Sequence, residues 1–216
     1  TGYSFPSGHT QSSVGVFGSA ARWHRQKAVR TVCVLLCVLV PLSRMYLGVH
    51  TPKDVLVSVA LALILACSLR PIMRKSDHNP NILPALLAAM LGICALYWCF
   101  VTFYRFPANV DPHNLASGAK NAYTLLGCVL GMIVVTFLDR RYIHFEVDAV
   151  WWAQILKVVL GLAGLLLIKE GLRAPLELVL PVYPARAVRY FFVVFFAGTV
   201  WPLTFPKFAK LGRKPL

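Results

Sequence analysis

Six stretches of this chain are apolar for close to the length that crosses a bilayer: residues 28–43, 53–69, 82–104, 117–138, 149–168 and 187–205. A hydrocarbon core asks for about 20 apolar residues of helix, because lipid offers the backbone no hydrogen-bond partner and a helix satisfies its own. Runs this frequent in 216 residues leave no room for a soluble core or a sheet. A shorter run, 9–21, is built largely of small residues, among them Ser12, Ser13, Gly15, Gly18, Ser19, Ala20 and Ala21. Small side chains let helices approach closely in lipid, so this helix is expected at the centre of a bundle. The predicted fold class is all-α, a polytopic membrane helix bundle of about seven transmembrane helices. Pro71, Asn79-Pro80-Asn81, Pro107 to Pro112 and Pro175 to Pro184 mark the expected linkers.

Charge then orients the bundle. Only 14% of residues are charged, yet the net charge is +14. The basic residues fall at the ends of apolar runs rather than along one polar face, which reads as a topology signal and not as a nucleic-acid surface. In an alternating bundle, the end that collects Arg22, Arg25, Lys27, Arg30, Arg70, Arg74, Lys75, Arg140, Arg141 and the tail Lys207 to Lys214 holds more than half of the 22 Lys and Arg. That end is expected in the cytoplasm. The tail reads as an anchor at anionic lipid. Cys33, Cys37, Cys67, Cys94, Cys99 and Cys128 all lie in apolar runs, where thiols act as small hydrophobes, so neither a disulfide framework nor a metal site is expected. Lys157 stands inside the run 149–168 and has two readings, a functional intramembrane charge or a side chain snorkelling or paired with another helix. His113, Lys169, Glu170, Arg173, Arg186 and Arg189 read as external loop residues, either solvated or at an entrance to a site.

Two polar blocks sit at the mouths of apolar helices on the expected external side: Tyr3-Ser4-Phe5-Pro6-Ser7-Gly8-His9-Thr10 and Ser43-Arg44-Met45-Tyr46-Leu47-Gly48-Val49-His50-Thr51-Pro52-Lys53-Asp54. In the second, Thr51 suits an N-cap and Pro52 the first turn of a helix. His50 then precedes a helix N-terminus, where free N–H groups and the dipole favour an anion. Asp54, four residues on, can reach an imidazole nitrogen and leave the other free to attack phosphorus. Arg44 can grip phosphate oxygens in a bidentate manner. In the first block, Ser7 suits an N-cap and Gly8 lets its backbone approach a ligand. His9 projects from the first turn, placed to protonate a leaving alkoxide.

On these residues the chain resembles the type 2 phosphatidic acid phosphatase superfamily, which also holds vanadium haloperoxidases and bacterial acid phosphatases. Pro6-Ser7-Gly8-His9 matches its second signature, and Ser43, Arg44, His50 and Asp54 match every fixed position of its third. The resemblance implies that His50 is the nucleophile of a phosphohistidine intermediate, that Asp54 orients it, that His9 protonates the leaving group, and that Ser7, Gly8 and Arg44 hold the phosphate. The family's first signature, a Lys, six residues, then Arg-Pro, is not found before Thr1; Arg70-Pro71 is a chance echo, with Leu63 where the lysine would stand. The chain is therefore expected to be the C-terminal part of a longer protein, inactive as a fragment if that block is missing. Residues 1–75 are expected to form the C-terminal half of the catalytic core, and 76–216 additional transmembrane helices.

The functional expectation is an integral-membrane, metal-independent phosphatase acting on a lipid phosphate or diphosphate, with no cofactor, membrane lipids as its surroundings and no nucleic-acid partner. A soluble phosphate ester as substrate, or lipid binding or flipping without hydrolysis, are the rival readings. The wording of the first block looks bacterial, so the expected location is a bacterial cytoplasmic membrane with the site on its external face; an endoplasmic reticulum membrane with a luminal site is the alternative.

Overall fold

The computed structural model describes residues 5–107, 109–143 and 147–211. Tyr3 and Ser4 of the first block, and Arg213 and Lys214 of the tail, lie outside the described residues. Every regular element among the described residues is helical, and the chain divides into two compact units, Thr1–Leu83 and Pro84–Leu216. Six helical spans are long and apolar enough to cross a membrane. The protein is an integral-membrane helix bundle.

The first unit holds α1 (Gly8–Trp23), α2 (Lys27–Tyr46) and α3 (Pro52–Ser76). Helix α1 packs against both α2 and α3, which scarcely meet each other. It therefore stands between its neighbours, as its small residues predict, but only along one stripe. Thr10, Ser13, Val14 and Ala21 are buried, whereas Val16 and Trp23 are 64% and 87% exposed. A side chain at Gly18 would meet the Cys37 thiol, and Arg22 donates to Cys67 Sγ at 3.1 Å across α1 and α3. At 16 residues α1 is also shorter than a bilayer-crossing helix, so the expected seven spans become six plus α1. The buried stripe of α3 is Asp54, Val55, Ser58 and Ala62, a helical repeat of about one turn. Pro71 does not end this helix: α3 continues to Ser76, since a membrane helix flanked by other helices tolerates an internal proline.

The second unit holds α4 (Ile82–Phe103), α5 (Pro112–Leu138), α6 (Trp151–Gly171), α7 (Arg173–Val179), α8 (Val182–Phe195) and α9 (Phe205–Lys210). Pro112 starts α5 rather than breaking it, behind an Asp111 cap whose side chain accepts from the His113 N–H at 2.9 Å. A π turn, Asp139–Ile143, extends α5, and another, Phe196–Val200, carries α8 towards α9. Helices α5 and α8 are the most intimately packed pair, through Gly127 against the Ala187 backbone and Gly131 against Val194. Gly198, in the π turn, meets Val135 in the same way. The spacing Gly127-x-x-x-Gly131 is the small-residue pattern that lets membrane helices touch at their backbones.

Three basic residues change character in this setting. Lys157 is buried; its Nζ donates to the Val147 carbonyl at 3.1 Å and lies 4.3 Å from the Phe205 ring centre, so it ties α6 to α9 and to the segment before α6. Arg186 and Arg189 are not loop residues. Both stand in α8, where Arg186 Nε donates to Thr124 Oγ1 at 2.7 Å and Arg189 is buried beside Tyr190.

Candidate active site

Short connections fold α1, α2 and α3 back and forth, so the start of α1, the end of α2 and the start of α3 share one end of the first unit. The Arg22–Cys67 contact pins the opposite end of the same pair of helices. Each expected site residue other than His9 and Gly8 is at least partly buried at the shared end. Ser7 precedes α1, Arg44 lies in the last turn of α2, and His50 and Asp54 flank the start of α3.

The start of α3 is capped by its own residues. Thr51 Oγ1 accepts from the Asp54 N–H at 3.4 Å and Asp54 Oδ2 accepts from the Thr51 N–H at 2.9 Å, a reciprocal capping box, and Pro52 has no N–H to offer. The expectation that this N-terminus offers free N–H groups to an anion is narrowed: its own side chains take those of Thr51 and Asp54. The same Oδ2 lies 3.7 Å from His50 Nδ1. That is longer than a hydrogen bond, as catalytic contacts often are before substrate tightens them. A carboxylate held rigidly by the cap is thereby aimed at the imidazole.

The start of α1 is open instead. Ser7 occupies the N-cap position but its hydroxyl makes no capping bond; the residue is fully buried and its Oγ has no partner. Thr10, one turn on, repeats the pattern, fully buried with an unpartnered Oγ1. Arg44 Nε and His50 Nδ1 are likewise buried without a hydrogen bond. A buried polar atom left unpaired costs about 1–3 kcal/mol. Ser7 Oγ, Thr10 Oγ1 and Arg44 Nε, on residues at one end of a three-helix unit, are three polar groups still open to a partner, while His50 Nδ1 faces Asp54. Thr10 escaped the reading of the sequence, although two hydroxyls three residues apart at a helix start were a visible signal.

His9 and Gly8 are exposed. A Cβ built on Gly8 would meet nothing within 4 Å among the described residues, so their packing does not demand glycine there. No hydrogen bond or ion pair among the described residues joins His9 to His50 or Asp54. Gly48, in the connection before His50, has φ +67°, the left-handed region that glycine reaches without strain. Among the described residues no three of His, Cys, Asp or Glu gather where they could hold a metal ion.

Two family models match the chain: "PAP2 superfamily" over residues 1–77, and "PAP2 superfamily phosphatase, transmembrane extension" over residues 123–214. Together they take in well over half of it. The chain belongs to the PAP2 superfamily. The first match includes both polar blocks, and the second lies within the unit that begins at Pro84. This PAP2 protein is accordingly a membrane phosphatase, a hydrolase of phosphate esters. Comparison with curated proteins and with solved structures gave no match.

Proposed function

We infer that this PAP2 protein hydrolyses a lipid phosphate or diphosphate through a phosphohistidine on His50. The single observation that carries the reading is the Asp54 carboxylate, fixed by its capping box and 3.7 Å from His50 Nδ1. A proton on Nδ1, held by Asp54, leaves Nε2 as the nucleophile. Nε2 attacks phosphorus, the P–O ester bond breaks, and the leaving oxygen takes a proton from His9. Water then attacks the phosphohistidine, giving its proton to His9 as the P–N bond breaks and phosphate departs. The phosphate is held by Arg44, the Ser7 hydroxyl and the uncapped first turn of α1 at Gly8, a donor set that works without a metal ion.

The lipid reading is favoured over a soluble ester because the site residues sit at helix ends in a membrane-spanning protein, where a headgroup can be met while its tail stays in lipid. The active site is assigned to the external face, opposite the richer set of Lys and Arg. Residues 1–75 carry the catalytic residues, and 76–216 serve as an added transmembrane region.

The test uses the protein in native membranes with EDTA present. Radiolabelled phosphatidic acid, after brief incubation and an alkaline quench, should leave an acid-labile phosphoprotein that His50→Ala lacks. Glycerol 3-phosphate, lacking the tail, should be turned over far more slowly. Normal turnover by His50→Ala would remove the phosphohistidine, and faster turnover of glycerol 3-phosphate would remove the lipid assignment.

A further inference from the structure

Helices α4 and α5 meet at one end and part at the other. Tyr97 donates its hydroxyl to the Gly118 carbonyl at 3.3 Å, and Trp98 stands edge-on to Tyr123 at 6.1 Å. Towards Pro84 and Arg141 the two helices leave a groove of about 540 Å³, the size of a small-molecule site. Leu87 and Leu91 of α4 and Ile133 and Phe137 of α5 wall it, and Arg140 and Arg141 of the π turn line its end. Helix α4 is otherwise loosely held, with Leu87 and Cys94 its buried residues.

In a bilayer, apolar walls of this kind accept an acyl chain at little cost, so they select for a lipid tail but not for a headgroup. The two guanidinium groups make that selection. Both are exposed, they are adjacent at the point where α5 runs out, and Arg is suited to bidentate contact with phosphate. Asp139 shares the turn and leaves the end of the groove net positive.

We propose that this groove binds an anionic phospholipid, with one acyl chain between α4 and α5 and the phosphate on Arg140 and Arg141. The site lies within the second unit and does not depend on the chemistry assigned to His50. The bound lipid fills the gap between two helices that meet at their far end, and so steadies α4.

Native mass spectrometry of the detergent-purified protein tests this, with phosphatidylglycerol and phosphatidylcholine of identical chains titrated in parallel and inorganic phosphate as a third arm. Phosphatidylglycerol should be retained with a preference of about thirtyfold, the worth of two basic residues at an anionic headgroup. The double variant Arg140→Gln/Arg141→Gln should erase the preference while keeping wild-type helical circular dichroism. Ala88→Trp, an exposed position on the groove, should lower retention of both lipids even if the arginine variant fails to fold. Inorganic phosphate should not raise the melting temperature, whereas phosphatidylglycerol should. Equal retention of the two lipids by the unaltered protein would overturn the proposal. So would lipid retention indifferent to Ala88→Trp, or a change from dimer to monomer in that variant with lipid binding intact, which would make the groove a contact between copies of the chain.

Discussion

His50 Nδ1 stands 3.7 Å from Asp54 Oδ2, and that same oxygen holds the Thr51 N–H at 2.9 Å. One carboxylate thus closes a helix and faces an imidazole, and the two duties can be separated. Asp54→Asn keeps an oxygen for the Thr51 N–H but removes the charge that stabilises an imidazolium. It should fold like the unaltered protein and lose about 10³-fold or more in kcat. Asp54→Ala should lose that activity and about 1 kcal/mol of stability besides, as measured by thermal unfolding in detergent. An Asp54→Asn protein with near-normal kcat would detach this residue from His50.

Ser7 offers the opposite balance. Its hydroxyl is buried with no partner, so it contributes nothing to folding that Ala could not replace. Ser7→Ala should melt at the same temperature or higher, since an unsatisfied hydroxyl has been removed. Vanadate, a mimic of pentavalent phosphorus, should inhibit it about tenfold more weakly, the worth of one hydrogen bond to a charged group. A destabilised variant with unchanged vanadate inhibition would make Ser7 structural.

The two histidines should fail differently. General acid catalysis contributes about 10²–10⁴-fold, and less when the leaving group is already a stable anion. His9→Ala should be severely slow on phosphatidic acid but partly recovered on p-nitrophenyl phosphate. His50→Ala should be inactive on both, because no leaving group replaces a nucleophile. Equal defects on both substrates, in folded proteins, would end this division of labour.

Packing of α5 on α8 is tested at Gly131, where a Cβ would approach Val194 Cβ to 2.9 Å. Gly131→Leu should lower stability by about 1–3 kcal/mol or more, the cost of overpacking a close contact. Gly92→Leu in α4, with nothing within 4 Å of a built Cβ, should be tolerated. Thermal unfolding of the two variants, with equal destabilisation as the adverse result, decides the point.

Orientation follows from labelling. In an otherwise cysteine-free background, Gln26→Cys should resist a membrane-impermeant maleimide in intact cells, whereas Asn109→Cys and Phe5→Cys should react. Protection of Phe5→Cys together with Gln26→Cys would mean that α1, with its 16 residues, does not cross the membrane.

Much of this architecture was legible in the order of residues. Membrane helices announce themselves through length and hydropathy, which are local properties, and each long apolar run falls on a helical span, although α3 runs on to Ser76 and the last run is divided between α8, a π turn and the start of α9. The Thr51-Pro52 start of α3 was equally local, because a cap involves only neighbours in the chain. Proline misled twice: Pro71 stayed inside α3, and Pro112, behind the Asp111 cap, began α5 instead of ending a helix.

What the order of residues left open was which polar groups would find partners. Asp54 could close α3 or face His50, and only the folded geometry puts one oxygen within reach of both. Ser7 resembled a helix cap, yet burial between helices withdrew its hydroxyl from that duty and left α1, not α3, with the open N-terminus. Lys157 acquired a carbonyl and a ring, and Arg189 moved from an expected loop into a buried helix face. The reason is physical. Hydropathy drives a helix into lipid, but lipid is as apolar as leucine, so it cannot dictate which helix faces which. That choice falls to close contacts such as Gly127 on Ala187 and to the hydrogen bonds that buried polar atoms secure or forgo, and these exist only once the helices have met.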